Sequence, residues 1–420
     1  MGIGITQEQR ELAGAVRGWV ARAVPPEAVR KLLDAPPQAG ARPGYWDGMC
    51  AQGLVTPHLE GGTLLDLAVV VEEAARAALP GAFLPSALAS VLLDRAGAPP
   101  LDGRVGAVAL GPGGVTAVAA EGGGWRLDGL APPVLGAGEA ELVLLAAQCE
   151  GGVRWFAVDA GALEVRPHES ADPTRPTAEV RAHGVTVPAA RLLELDEALV
   201  RDLACVLFAA DACGTAAWAV HTAAAHAKTR EQFGHPIGRF QGVKHLCADM
   251  LVRLEQARAL TWDAANCAAG DTEPTPAEPP DRTPAGPPDR TPAGPPDGTA
   301  AATPDRAPAG LPDRTAAGPP DGTAAGATGG ATATAPTPGG PRSLVAALAA
   351  AVALDAAWSC AKDCIQILGG IGFTWEHDAH IHLRRALVAR QLLGPGDAHR
   401  LRAVRLAAAG ARRELRLRLP

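Results

Sequence analysis

The spacing of apolar and polar positions divides the chain into three parts. Through about residue 98, apolar residues recur every three or four positions, notably over 7–24 and 64–78, which predicts an all-α unit. From 103 to 188, short apolar runs alternate with Gly, Pro and Asp, which predicts a small β domain. Helical spacing then returns in four long stretches: 197–228, 242–267, 344–368 and 377–393.

The β domain is expected to hold seven short strands, and the pattern places domain boundaries after residues 98 and 190. The predicted domains are therefore 1–98, 99–190 and 191–420. The predicted strands are 105–110, 115–119, 125–130, 142–147, 155–158, 178–180 and 185–187.

The third domain is interrupted by a segment, 270–342, rich in Pro, Ala and Gly. An octapeptide recurs there, with its aspartates in strict register at Asp281, Asp289, Asp297, Asp305, Asp313 and Asp321. A segment with few large apolar residues and many prolines buries too little surface to fold, so we expect disorder. Repeat expansion inside a surface loop is the preferred interpretation, and a tether or docking segment is the alternative.

Charge and composition exclude several classes of function. The chain has 420 residues and a net charge of −7, with no basic cluster for nucleic acid or for a membrane surface. We find no apolar stretch of the roughly 18 to 20 residues that span a bilayer and no leader pattern, so we expect a cytoplasmic protein. The eight cysteines are scattered without a Cys-x-x-Cys pair, which predicts reduced core thiols and no metal site.

Residues 230–250 carry the most specific motif. They read Arg-Glu-Gln-Phe-Gly-His-Pro-Ile-Gly-Arg-Phe-Gln-Gly-Val-Lys-His-Leu-Cys-Ala-Asp-Met, and their glycines and proline break the chain between two helical patterns. An arginine at such a break offers bidentate donors to a diphosphate, although a lone surface arginine more often pairs with a carboxylate. This stretch resembles the signature of the FAD-dependent acyl-CoA dehydrogenases.

The resemblance implies a set of cofactor-facing residues. By it, Arg230 contacts the FAD pyrophosphate, Gln232 and Phe233 belong to the same signature, and Phe240 and Gln241 line the cofactor of a neighbouring subunit. A second signature, Gln366-Ile-Leu-Gly-Gly-Ile-Gly-Phe, implies that Gln366, Gly369 and Gly370 contact the adenosine end of FAD from the partner subunit. Taken alone, the glycine pair indicates only the end of a helix.

The amino-terminal part resembles the same family at Trp46-Asp-Gly-Met-Cys-Ala-Gln-Gly-Leu and at Val71-Glu-Glu-Ala-Ala-Arg. The implied fold is mainly α: an N-terminal helical domain, a middle small β-barrel domain and a C-terminal four-helix bundle that carries the disordered insertion. The implied activity is oxidation of an acyl-CoA thioester to the 2-enoyl-CoA, with a carboxylate that removes the α-proton.

The sequence departs from the family at that carboxylate. The usual position of the Glu is taken by Leu393, and the alternative position on the first helix of the carboxy-terminal domain is taken by Ala204. Asp211 lies seven residues after Ala204 on the same helix face and is the candidate base. A carboxylate paired with an arginine or exposed at a packing edge is the alternative interpretation of Asp211.

The middle domain also departs from the family, because 109–115 and 131–136 lack the usual motifs beside the flavin ring. Three hypotheses follow: a dehydrogenase that works alone or as a subunit of a heteromer, a non-catalytic scaffold, and a flavin monooxygenase on the same fold. By resemblance, the expected partners are acyl-CoA, an electron-transfer flavoprotein or similar acceptor, and a homotetramer or a heterotetramer with another acyl-CoA dehydrogenase subunit.

Overall fold

The computed structural model describes residues 4–34, 42–269 and 340–413. Its first part is helical, as predicted, and two of the helices begin with reciprocal capping boxes, Thr6 with Gln9 and Thr63 with Asp66. These helices are α1 (Gln7–Ala23), α2 (Pro26–Lys31), α3 (Trp46–Ala51), α4 (Leu64–Arg76) and α5 (Phe83–Arg95).

The middle part is one mixed sheet of nine strands. Its main path runs β4-β8-β3-β2-β5-β6-β9, with β1 on β5 and β7 on β8, and a separate apolar core lies within it. Only β1 and β2 pair with β5 in parallel, and the other pairs are antiparallel. The strands are β1 (Gly106–Val108), β2 (Thr116–Ala119), β3 (Trp125–Leu130), β4 (Val134–Leu135), β5 (Leu142–Cys149), β6 (Gly152–Asp159), β7 (Glu164–Pro167), β8 (Thr177–Val187) and β9 (Leu192–Leu193).

The two strands predicted for 178–180 and 185–187 form one strand, β8. The register between β3 and β8 shifts between Leu127 and Gly129, and Gly184 has a φ of +60° beside this irregularity. A bulge lets the strand continue through residues that interrupt its polar and apolar alternation. The short strands β4, β7 and β9 were not predicted, since two to four residues carry too little periodicity.

The described residues of the last part form a bundle of five helices, in which α6 lies at the centre. It contains α6 (Glu197–Thr229), α7 (Gln241–Ala269), α8 (Pro341–Leu368), α9 (Ala379–Leu393) and α10 (Gly396–Ala408). Between α6 and α7 lies a hairpin of β10 (Glu231–Gln232) and β11 (His235–Pro236). The sequence did not predict α10, because its start at Gly394-Pro395-Gly396 has the composition of a turn.

Helices α4 and α6 pack at very short range through Gly214. A β-carbon there would lie 2.8 Å from Ala75 Cβ and closer still to the Glu72 carbonyl oxygen. The absence of a side chain at Gly214 therefore fixes the approach of the amino-terminal helices to the bundle.

Most of the predicted insertion lies outside the described residues, which resume at Gly340 with α8 beginning at Pro341. The described residues belong to one compact unit, and the division at 98 and 190 remains a prediction.

Within the described residues, two helices are long and apolar enough to span a membrane by length and composition, Glu197–Thr229 and Pro341–Phe373. The prediction that no such stretch exists was wrong, because runs of alanine, valine and leucine that serve a protein core have the same composition. Of their most apolar segments, 89% and 67% is buried within the fold, as in core helices.

Candidate functional site

The hairpin after α6 presents the first predicted cofactor segment. Arg230 leaves the helix in extended conformation, Glu231 pairs with Pro236 and Gln232 with His235. Phe233 and Gly234 form the tip of the turn with φ values of +54° and +74°. A left-handed phenylalanine is unfavourable in isolation, so the hairpin holds this side chain outward at some conformational cost.

The side chains of this segment face solvent. Phe233 is 89% exposed and lies edge-on to the half-exposed Phe240, with ring centroids 6.0 Å apart. Arg230, Gln232 and Gln241 are exposed as well, and the Arg230 guanidinium makes no hydrogen bond or ion pair with another described residue. An aromatic pair beside an unpaired cation is unusual for a surface that meets only water.

The second predicted segment follows α8. Gln366 is exposed on the last turn of that helix, Gly369 has a φ of +64°, and neither Gly369 nor Gly370 has an atom within 4 Å of where a β-carbon would stand. The backbone is therefore open to close approach by another molecule. Beyond the glycines, Phe373 and Trp375 are 78% and 71% exposed.

Both segments lie at the same end of the bundle. The start of α7 runs beside the end of α8, since Cys360 Sγ donates to the Met250 carbonyl and Arg253 Nη1 donates to Asp363 Oδ2 at 2.6 Å. Burial lowers the pKa of His226, and the charges of the neighbouring Arg230 and His377 lower it further. The end of α6 therefore lies near both Arg230 and the loop that follows the second segment. The fold thus brings the two sequence signatures together.

A cavity of about 410 Å³ lies between the sheet and α9. His168 Nδ1 lies 3.1 Å from Thr177 Oγ1 in its wall. The residues that line it are Leu110, Pro132, Pro133, His168, Glu169, Ser170, Ala171, Thr177, Val388, Gln391 and Leu392.

The neighbouring space toward α5 and α6 is filled by apolar side chains. Only about 10 Å³ is free there, roughly the room one water molecule needs. Its walls are Pro85, Leu88, Val108, Leu110, Pro133, Leu135, Phe208 and Leu392. Ala204 is fully buried and Leu393 is half-buried, so neither of the two family positions for the base presents a carboxylate.

Asp211 is buried and paired with an arginine. Arg175 donates to Asp211 Oδ1 from Nη1 at 2.6 Å and to Oδ2 from Nη2 at 3.1 Å, so both carboxylate oxygens are engaged. This geometry matches the alternative interpretation, a helix carboxylate paired with an arginine. A carboxylate held in this way is poorly placed to accept a proton from a substrate.

The Arg175 pair belongs to a larger buried network that the sequence did not reveal. Asp172 Oδ2 lies 3.5 Å from Arg175 Nε and 3.6 Å from Arg385 Nε, and Arg385 Nη2 donates to Thr174 Oγ1 and to the Leu79 carbonyl. Burial and the nearby Arg175 lower the pKa of Arg385 to about 10. The motif Asp-Pro-Thr-Arg at 172–175 was the available signal, but its partners are distant in sequence.

Among the described residues, no group of three or more His, Cys, Asp or Glu side chains has the arrangement of a metal site.

Three comparisons bear on the identity of this fold. The family model described as "Acyl-CoA dehydrogenase, C-terminal domain" matches residues 204–280 and 323–407. Acyl-CoA dehydrogenase FadE34 of Mycobacterium tuberculosis is 34% identical over 98% of this chain, and the chain spans about half, 49%, of that relative's length. Acyl-CoA dehydrogenase IpdE2 of Mycolicibacterium smegmatis is 27% identical, over 93% of this chain and 96% of the relative.

The fold has close structural counterparts. A chain of the ChsE4-ChsE5 complex from Mycobacterium tuberculosis superposes with a TM-score of 0.75 at 22% identity, over 98% of this chain and 100% of that one.

Proposed function

Because the chain belongs to the acyl-CoA dehydrogenase family, we propose that it acts in the α,β-dehydrogenation of an acyl-CoA thioester as a subunit that completes the FAD site of a second subunit. One contrast carries the proposal. The residues expected to face a partner's cofactor are exposed at one end of the bundle, whereas neither family position for the base, Leu393 or Ala204, carries a carboxylate.

The residues present fit FAD on the partner-facing side. Arg230 offers a guanidinium without an internal partner to a pyrophosphate, and Gly369 and Gly370 leave room for a cofactor to approach the backbone. Phe240, Gln241 and Gln366 would line the same surface. FAD supplies the hydride acceptor when it is bound.

The α-proton requires a base that this chain does not present at Leu393 or at Ala204. In the proposal, the carboxylate comes from the second subunit, together with the acyl-binding crevice. The space of about 10 Å³ beside Phe208 and Leu392 is too small for an acyl chain.

Two observations support a heteromer. A fold neighbour is a complex of two named proteins, ChsE4 and ChsE5, and neither family position for the base carries a carboxylate in this chain. We therefore propose a heterotetramer with another acyl-CoA dehydrogenase subunit, and an electron-transfer flavoprotein or similar protein as acceptor. A homotetramer is the alternative assembly, and a cytoplasmic location is part of the same proposal.

A non-catalytic scaffold is the second candidate, favoured by the lack of a carboxylate at Leu393 and Ala204. The two candidates differ in flavin binding at Arg230. In a co-purified complex with a second acyl-CoA dehydrogenase subunit, Arg230→Gln is expected to weaken FAD binding roughly 10- to 100-fold, because a charged hydrogen bond to the diphosphate is lost.

Arg239→Gln is the matched control, since Arg239 is an exposed cation in the same segment whose Nη1 lies 3.2 Å from His235 Nδ1. Loss of FAD in the Arg230 variant alone supports the shared site. Equal retention of FAD in both variants would favour the scaffold.

A further inference from the structure

A second cavity lies where the amino-terminal helices meet the sheet. It measures about 470 Å³, within the range of small-molecule sites. Its walls come from the α1–α2 region, from the loops around Tyr45 and Gly81, and from the segments 136–139 and 173–177. The acyl-CoA dehydrogenase signatures contribute no residue to it.

The walls of this cavity are tied together by backbone hydrogen bonds. Gly81 N donates to the Thr174 carbonyl at 2.8 Å, and Gly136 N donates to the Pro176 carbonyl at 3.0 Å. Both glycines have left-handed φ values, +81° and +70°, and a β-carbon on either would lie within 3 Å of atoms packed around it. The cavity is thus built into the fold.

A carboxyl group is anchored at this cavity by one oxygen. Glu139 Oε2 accepts from Ala82 N at 3.0 Å, whereas Oε1 has no hydrogen bond or ion pair with any described residue. Burial raises the pKa of Glu139 to about 7, although the hydrogen bond from Ala82 N lowers it. A cationic partner would stabilise the ionised form of this carboxyl group and so offset the cost that burial adds to its ionisation.

The other polar group beside it is also an acceptor. The Tyr45 hydroxyl donates its proton to the Pro80 carbonyl, which leaves its oxygen lone pairs for a ligand. Both groups approach the same point beside Gly81, because a β-carbon there would lie 2.8 Å from Glu139 Oε2 and 3.2 Å from Tyr45 Oη.

The nearby cations are already paired. At the rim, Arg42 binds Asp47 and Glu141 at 2.9 and 2.7 Å. In the interior near Tyr45, Arg175 and Arg385 are paired with Asp172 and Asp211 in the buried network. Among the described wall residues, the ionisable side chains are Arg42, Tyr45 and Glu139, so Glu139 is the group left to receive a positive charge.

The remaining walls are mostly apolar: Ala23, Val24, Ala28, Leu32, Pro43, Pro80, Pro167, Pro173 and Pro176. We propose that this cavity is a binding site for a small, mainly apolar amine, whose ammonium group donates to Glu139 Oε1 and to the Tyr45 oxygen. A carboxylate–ammonium hydrogen bond is about twice as strong as a neutral one, which favours an amine over an alcohol of the same shape.

Binding of cyclohexylamine by calorimetry tests the proposal, with cyclohexanol as the neutral probe. An alkylammonium group titrates near the value of lysine, about 10.4, so it stays charged while Glu139 ionises. Affinity for the amine is expected to rise about tenfold from pH 6 to pH 8, because the ionised fraction of Glu139 rises by that factor. The alcohol is expected to bind more weakly and without this pH dependence.

Two variants and a control make the result specific. Glu139→Gln keeps the acceptor for Ala82 N and is expected to abolish the pH dependence, whereas Glu150→Gln, an exposed carboxylate in the turn between β5 and β6, is expected to change nothing. Gly138→Leu is expected to block the cavity, because a β-carbon there meets only Pro167 at 3.4 Å and the rest of the side chain must occupy the space.

Equal binding of amine and alcohol, or unchanged amine binding in Glu139→Gln or in Gly138→Leu, would overturn the assignment. The readout is binding to the protein as purified, so it is independent of FAD and of the proposed dehydrogenase role.

Discussion

Arg175 of the segment before β8 and Asp211 of α6 form a bidentate, buried ion pair with N–O distances of 2.6 and 3.1 Å. The pair joins the sheet to the central helix of the bundle. Asp172 and Arg385 extend it to α9, and the Leu79 carbonyl extends it to the loop after α4. We infer that this network stabilises the packing of the amino-terminal helices, the sheet and the helical bundle against one another.

Asp211→Ala is expected to lower the free energy of unfolding by about 3–5 kcal/mol, because it leaves the Arg175 guanidinium buried without its main partner. Denaturant titration measures the change. The double variant Arg175→Met/Asp211→Leu is expected to recover much of the lost stability, since this pair leaves no unpaired charge. If Asp211→Ala kept its stability and lost only flavin reduction, Asp211 would be a base after all.

The pKa of Glu139 predicts a pH dependence of stability. Its folded value of about 7 lies above the ordinary value of 4.5, so the folded protein keeps a proton that the unfolded chain releases between these values. The contribution of Glu139 to the free energy of unfolding therefore falls as pH rises from about 4.5 through 7.

Glu139→Gln removes this titration. The Tm of the variant minus that of the wild type is expected to be more positive at pH 8 than at pH 5 by scanning calorimetry. A difference that does not change with pH would contradict the burial of this carboxyl group.

Gly214 provides a test of the packing between α4 and α6. Gly214→Ala is expected to cost about 1–3 kcal/mol, because the new methyl group collides with Ala75 and with the backbone of Glu72. Gly14→Ala is the matched control: Gly14 lies in the exposed part of α1 with open space around it, and alanine is expected to stabilise that helix by about 0.5–1 kcal/mol. Equal changes at both sites in chemical denaturation would argue against the close approach.

The proposed sharing of the site between two subunits predicts that restoring the usual acidic residue is insufficient. Leu393→Glu in the isolated chain is expected to give no acyl-CoA-dependent flavin reduction, because a carboxylate alone does not supply the acyl-binding crevice that the proposal assigns to the second subunit. Anaerobic absorbance titration of the flavin-reconstituted variant checks this. Reduction comparable with that of a complete dehydrogenase would show that only the carboxylate is missing.

The sequence predicted the helix, sheet, helix order, because long amphipathic stretches and short apolar runs differ in period. The assignment of Arg230 and Gln366 to a cofactor surface followed only from the resemblance and stays a prediction, since no local pattern relates the two residues. Three features could be seen only in the structure. They are the pairing of Asp211 with Arg175, the hydrogen bond from Ala82 N to Glu139, and the narrow space of about 10 Å³ beside Phe208 and Leu392. Each depends on residues far apart in the chain.

The most direct test of the central claim is the anaerobic flavin spectrum of the chain alone and in a purified complex with a second acyl-CoA dehydrogenase subunit, during titration with acyl-CoA. The account predicts bound flavin that is bleached by acyl-CoA in the complex and no bleaching by the chain alone. Bleaching by the isolated chain, or a complex without flavin, would contradict it.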